Sequence, residues 1–416
     1  MRLRLHLKTI TVFVLIVYFL FTFYAAYVLF YQKISRGSTD IKDTGKLQVA
    51  ERTGLLGATG PSKILSNIHG RQNESADTAA REVYPVEVWS RAGVGQYTWE
   101  HIIEAPLEPR LGGVWNYGFK KEGNIAFTFR SGHGVVPDKV PKEVENLVLV
   151  LNGRAPDKLD FTRSWLDYLD AFPRLRNVGL MLLGSEECDN DWVLPYMASH
   201  NGLLKFLLVV YDSPLVDNSA IYQWPLGVAT YRGFPVIDSS TLDLSASRRY
   251  RCNFMGTVYP NSSRELLLEV IQKYNLEDYC YVKTRKSWVP AETGETLKQY
   301  EEMLAESDLT LSPVGMNTEC YRIYEAVSYG SVPVIEDIQT PGHCASEALR
   351  LLKQFKAPFI YIKDWYQLPR ILQEDSRKSP QEISQRRVEL LHWYKKFRTK
   401  LKQVFLRTVE RSFFPS

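Results

Sequence analysis

The sequence predicts an α/β protein built from two doubly wound, Rossmann-like domains, and three observations carry that prediction. First, ENLVLVLNGR, RNVGLMLLGSEE and LLKFLLVVYDSP are near-continuous apolar runs closed by polar residues, as strands buried on both faces are. Second, residues 307–337 read strand, polar turn, short helix, glycine stop and strand, a compact βαβ unit. Third, WPLGVATYRGFP lies between these regions. Pro225, Gly227, Gly233 and Pro235 punctuate it as a crossing between domains.

From the start of the chain, residues 1–9 form a short tail carrying Arg2, Arg4 and Lys8, and residues 10–31 hold no charge. At about 1.5 Å per residue such a stretch spans a bilayer core of roughly 30 Å. The flank QKISRGSTD offers no small-residue cleavage site, which favours an uncleaved signal-anchor over a signal peptide. Lys33 and Arg36 reduce the charge asymmetry. The short tail then points to a type II orientation, with a cytosolic N-terminus and a luminal bulk. Residues 32–82 are rich in Ser, Thr, Gly, Asn and Lys and read as a flexible stem.

The sequons at Asn73 and Asn261 agree with a lumen. Five cysteines, none in a C-x-x-C pair, suggest up to two disulfides and one spare thiol there. Cys252 and Cys280 are the first pair to test, since they could bracket one βαβ element; spacing leaves the connectivity open.

Residues 83–235 form the first predicted domain. VEVWSRAGVGQYTWEHIIEA reads as a helix-containing cap, and Phe161, Trp165, Tyr168 and Leu169 recur at helical spacing between two strands. Residues 236–378 form the second. A strand, YRCNFMGT, ends at Gly256, and a helix follows with Ser262 or Ser263 as its cap and Leu266, Leu267 and Ile271 inside. Residues 379–416 make a C-terminal amphipathic helix, apolar at Val388, Leu391, Tyr394, Leu401 and Phe405.

Candidate chemistry gathers at two helix starts. Arg264 lies in the first turn after Ser262, where a cation opposes the helix dipole unless an anion joins it. In the βαβ unit, Asn317, Thr318 and Glu319 read as cap and first turn, and Gly330 as the stop. Cys320, Ile323, Tyr324 and Val327 would face the sheet. Arg322 and Glu325 share another face, near the carboxyl ends of the strands where open sheets bind ligands. A guanidinium suits a phosphate and a carboxylate suits ribose hydroxyls. An ordinary intrahelical Arg–Glu pair is the competing reading, as solvent exposure is for Arg264.

WPLGVATYR, CNFMGT, SSR and NTECYRIYEA, in that order, carry a resemblance. The βαβ segment resembles the sugar-nucleotide element of exostosin-like GT-B glycosyltransferases, and the chain from anchor to near the C-terminus is similar to the ribitol-phosphate xylosyltransferases. The resemblance implies a GT-B-like pair of Rossmann-like domains and a Golgi type II membrane enzyme. It implies UDP-xylose as donor, and ribitol 5-phosphate on the O-mannosyl glycan of alpha-dystroglycan as acceptor. Other glycosyltransferases of the same route would be partners. Transfer would form a β linkage with inversion, with no metal required. With the helix-start readings, the candidate nucleotide-sugar residues are Gly256, Ser262, Ser263, Arg264, Asn317, Thr318, Glu319, Arg322 and Glu325; the resemblance implies Glu325 on the ribose and Arg322 at the diphosphate or sugar. The base should follow a strand of the first domain. Asp212 is preferred over Glu186 and Glu187, against an Asx turn ahead of Pro214. Arg154 is the candidate contact for the acceptor phosphate. A glycan on Asn261 would crowd the turn carrying Arg264.

Alternatives stay open: another UDP-sugar donor, an inactive membrane-tethered glycan-binding scaffold, or a metal-dependent GT-A enzyme using Asp189 and Asp191. A net charge of +4 spread along the chain argues against a nucleic-acid surface. Neither a G-x-S-x-G elbow nor a Walker A loop is present, and His101, His133 and His343 lack metal-ligand spacing.

Overall fold

The computed structural model describes residues 83–111 and 114–415. The tail, the anchor over 10–31, the stem and the Asn73 sequon lie outside the described residues. Among the described residues no helix is long and apolar enough to cross a membrane.

The described chain enters a sheet at once. Strand β1 (Tyr84–Ser90) leads into a short helix, α1 (Gly93–Tyr97), and a π-helical turn over Thr98–Ile102. β1 lies within the sheet, which corrects the expectation of a helix-containing cap at this point. Its buried Val86 and Val88 alternate with Glu87, whose carboxylate accepts Arg130 Nε–H at 2.9 Å. That polar position hid the strand. β2 (Glu108–Leu111), β3 (Trp115–Glu122) and β4 (Ile125–Ser131) then form an antiparallel meander that brings β4 parallel to β1.

β5 (Asn146–Asn152) pairs with the other side of β1, and α2 (Pro156–Asp167) leads on to β6 (Asn177–Leu183), β7 (Leu204–Val210) and β8 (Ile221–Trp224). The eight strands run β2-β3-β4-β1-β5-β6-β7-β8. Every residue of β6 is buried, as its unbroken apolar run requires.

The second sheet takes β9 (Tyr250–Thr257), α3 (Ser263–Lys273), β10 (Cys280–Arg285), α4 (Gly294–Ala305), β11 (Ser307–Ser312), α5 (Tyr321–Ser328) and β12 (Val332–Glu336) in turn. α6 (Arg350–Gln354), β13 (Ile360–Ile362) and α7 (Leu368–Ser376) complete it. All five strands are parallel in the order β10-β9-β11-β12-β13, so winding reverses beside β9. Ser262 caps α3 by accepting Glu265 N–H. α5 starts later than expected: Cys320 is its N-cap and Asn317–Glu319 precede it.

The lobes are tied together along one side. Cys188 of the first lobe is bonded to Cys344 of the second, and His343 N–H reaches the Glu187 carbonyl at 2.7 Å. Within the second lobe Cys252 and Cys280 join neighbouring strands, leaving Cys320 free.

The final helix, α8 (Pro380–Phe413), opens with a Ser379–Glu382 capping box and runs across both lobes. Arg387 donates to Asp308 at 2.5 Å, while Phe405 packs on Phe127 and Phe413 on Phe206. Its buried stripe is Ile383, Arg387, Leu390, Tyr394, Phe397, Leu401, Phe405 and Val409. Val388 is exposed, contrary to expectation, because the buried stripe position is taken by the ion-paired Arg387.

Candidate active site

The site grows from the winding reversal beside β9, where the carboxyl ends of neighbouring strands diverge and leave a crevice. Arg264, one residue into α3, folds back so that Nη1 donates to the Thr257 carbonyl at 2.8 Å. Arg322, in the first turn of α5, donates from Nη2 to the Met255 carbonyl at 2.9 Å and lies over the Phe254 ring. In both guanidinium groups the buried Nε meets no hydrogen-bond partner. Burial, and then the Arg322 charge, lower the Arg264 pKa. Among the described residues neither arginine is ion-paired.

Two glycines make room for this arrangement. A Cβ on Gly256 would stand 2.9 Å from Arg322 Nη2, and one on Gly315 would stand 2.7 Å from Arg264 Nη2.

Glu325 is buried below them. Oε1 accepts the Ala229 N–H at 3.0 Å and Oε2 accepts the Tyr300 hydroxyl at 2.6 Å. Burial raises its pKa against those bonds and against Arg322 and Arg232. Gly256, Arg264, Arg322 and Glu325 line one cavity of about 250 Å³. Sequence reasoning missed other parts of its wall, among them Arg232, Arg285, Trp288, Glu292 and Tyr300. Arg232 and Arg285 both pair with Glu292, at 3.1 and 2.9 Å, so their charges are partly answered. The arrangement can hold a polyanion on two unanswered guanidinium groups, with a hydroxyl-bearing part beside Glu325.

Two family models match the chain: the RXYLT1 N-terminal domain over residues 86–225 and the RXYLT1 C-terminal domain over 231–414. Ribitol-5-phosphate xylosyltransferase 1 of Danio rerio is 42% identical over 99% of each chain. The Homo sapiens protein of that name is 39% identical over 99% of this chain and 98% of its own. The chain belongs to the ribitol-5-phosphate xylosyltransferase family. A solved alpha1,3-fucosyltransferase covers 80% of this chain and 91% of its own at 10% identity, with a TM-score of 0.39.

In this xylosyltransferase-family chain Arg154 of the first lobe approaches the back of the cavity wall at Tyr321 and carries Glu186 beside it. Arg154 lies over the rings of Tyr211 and Tyr321, at 5.3 and 5.6 Å, and its Nη2 is 3.5 Å from Glu186 Oε1. Tyr321 lines the cavity, and burial raises its hydroxyl pKa to about 12. The Tyr211 hydroxyl also donates to Glu186 Oε1, at 3.5 Å. Glu186 is half-exposed and its charge is felt by Arg264.

Other expected site residues stand elsewhere. Asp212 is buried, and both of its oxygens are occupied: Oδ1 by Gln223 at 2.8 Å and Arg350 N–H at 3.1 Å, Oδ2 by Leu349 N–H at 2.8 Å. It joins the end of β7 to the second lobe, away from the cavity, and forms no Asx turn toward Pro214. Asn317 donates to the Glu186 carbonyl at 2.7 Å, and Thr318 to the Ile338 carbonyl at 2.9 Å. Glu319 accepts from Leu226 N–H and from Tyr324. These three residues hold the lobes and loops together and do not line the cavity.

Ser262 is a helix cap, and the Ser263 hydroxyl is held by Glu336 and Trp365. Asn261 is exposed, in a left-handed conformation just before the cap. Asp189 is exposed, 3.9 Å from His343 Nδ1, and Asp191 opens a 3-10 turn. Neither borders the cavity, and among the described residues no group of three His, Cys, Asp or Glu side chains converges.

Proposed function

We propose that this chain is an inverting GT-B glycosyltransferase, taking xylose from UDP-xylose to ribitol 5-phosphate on the O-mannosyl glycan of alpha-dystroglycan. The observation that carries the donor reading is the pair of unpaired guanidinium groups, Arg264 and Arg322, held against bare glycines beside buried Glu325. The diphosphate lies on the two arginines and the α3 start, and the ribose hydroxyls meet Glu325. The sugar and the acceptor are named after the relatives, whose names specify ribitol 5-phosphate and xylosyl transfer.

Inversion requires one displacement. Glu186 takes the proton from the acceptor hydroxyl, whose oxygen forms a bond to the anomeric carbon as that carbon's bond to the diphosphate breaks. The α-linked donor becomes a β-linked product. Negative charge grows on the leaving UDP, where Arg264 and Arg322 already stand and need not reorganise. Glu186 is favoured over Asp212 because its carboxylate stands half-exposed beside Tyr211 and beside Arg154, whose guanidinium lies over the cavity-lining Tyr321. This chemistry calls for no divalent ion, and residues 1–82 would tether the enzyme to the Golgi membrane.

The test is an assay of the purified chain with UDP-xylose, UDP-glucose and UDP-glucuronic acid against a ribitol-phosphate acceptor, with and without EDTA. Transfer from UDP-xylose that survives EDTA is expected. Preference for another sugar overturns the donor, loss with chelator overturns the metal-free mechanism, and UDP binding without transfer leaves a scaffold.

A further inference from the structure

A second cavity, of about 440 Å³, opens in the first lobe at the carboxyl ends of β1, β4 and β5. There β1 is flanked by two parallel neighbours reached by opposite turns of the chain, the same kind of crevice as beside β9. Arg91, His133, Asn152, Lys158, Phe161 and Tyr231 contribute to its wall. Arg91 lies over the Phe161 ring at 4.9 Å, fixed by one bond from Nη1 to the Gly132 carbonyl at 3.0 Å. That leaves donors free to meet an anion. Asp157 is the acidic group in the same wall, 2.5 Å from Lys158.

The two cavities share a partition. Tyr231 lines this one and its neighbour Arg232 lines the other. The Tyr231 ring lies 5.7 Å from Tyr321, itself a wall of the donor cavity. Asn152 lines the first-lobe cavity and accepts the backbone N–H of Arg154, whose guanidinium stacks on Tyr321. A transfer reaction requires two substrates to meet, and reactants held on either side of one thin partition satisfy that requirement.

We propose that the first-lobe cavity is the acceptor site, seating a phosphate-bearing sugar alcohol with its phosphate on Arg91 and Lys158 and its hydroxyl end passing Tyr231 toward the donor. This rests on the donor reading above. Asn152 supplies the uncharged partner that a polyol needs, and the volume suits a small ligand.

The test measures steady-state kinetics of Arg91→Ala and Lys158→Ala with UDP-xylose and two acceptors, one ending in ribitol phosphate and one in neutral ribitol. Calorimetry with UDP runs alongside. Expected is a KM rise of about tenfold or more for the phosphate-bearing acceptor, a change below about twofold for the neutral one, and unaltered UDP affinity. Arg91→Lys should recover part of the loss, since an ammonium keeps the charge. An unchanged KM for the phosphate-bearing acceptor, or an equal rise for both acceptors, overturns the proposal. A wild-type chain that binds no UDP overturns the donor reading itself, whereas intact UDP affinity with an unchanged acceptor KM overturns this inference alone.

Discussion

Arg322 rests against the bare Cα of Gly256, with Nη2 2.9 Å from where a Cβ would stand. The contact is with the far end of a flexible side chain, so Gly256→Ala should displace the guanidinium and leave the strand in place. UDP affinity should fall about tenfold while the melting temperature moves little. Calorimetry and thermal denaturation of the same sample check both halves.

Glu186 and Asp212 separate catalysis from architecture. Glu186→Gln should lower turnover by about two to four orders of magnitude with UDP affinity retained. Asp212→Asn turns an amide nitrogen toward the N–H donor of one of the two oxygens, Leu349 at Oδ2 or Arg350 at Oδ1, and should cost about 1–3 kcal/mol of stability. Single-turnover assays and denaturant titrations distinguish the two; a stable, inactive Asp212→Asn would return the base to Asp212.

Burial pushes the Glu319 pKa from 4.5 up to about 7, against bonds from Leu226 and Tyr324, with Asp212 adding to the rise and Arg154 opposing it. The folded form therefore binds the proton more tightly. Glu319's contribution to stability is full below about 4.5 and is lost as pH rises to about 7. Glu319→Gln fixes the neutral form. Relative to this variant, wild type should lose about 1–3 kcal/mol between pH 4.5 and pH 8. Parallel stability curves for the two proteins would refute this.

The Cys188–Cys344 bond closes a loop with a sequence separation of 156 and ties the lobes together. Cys188→Ser should lower stability by about 2–5 kcal/mol under oxidising conditions. Denaturant unfolding with and without reductant checks it, since the variant should respond less to reductant than wild type.

The legible parts of the sequence were those where one force dominated. β5, β6 and β7 are buried on both faces, and their apolar runs announce them. Ser262 caps a helix as its position suggested, because capping is local. β1 was missed because Glu87 is satisfied by Arg130, forty-three residues away. The α5 start was misplaced because Asn317, Thr318 and Glu319 have the side chains of a cap but bond to other loops and strands. The same limit applied to the site. Arg264, Arg322 and Glu325 flank recognisable helix starts, whereas Arg232, Arg285 and Glu292 meet only through tertiary pairing. Arg285, at the carboxyl end of β10, was the one with a usable signal.

The most direct measurement is UDP binding by calorimetry to wild type and to Arg264→Ala, Arg322→Ala and the double variant. Saturable binding by wild type is expected, weakened about tenfold or more by each substitution and abolished by both. UDP affinity unaltered in the double variant would contradict the assignment of this cavity to the donor.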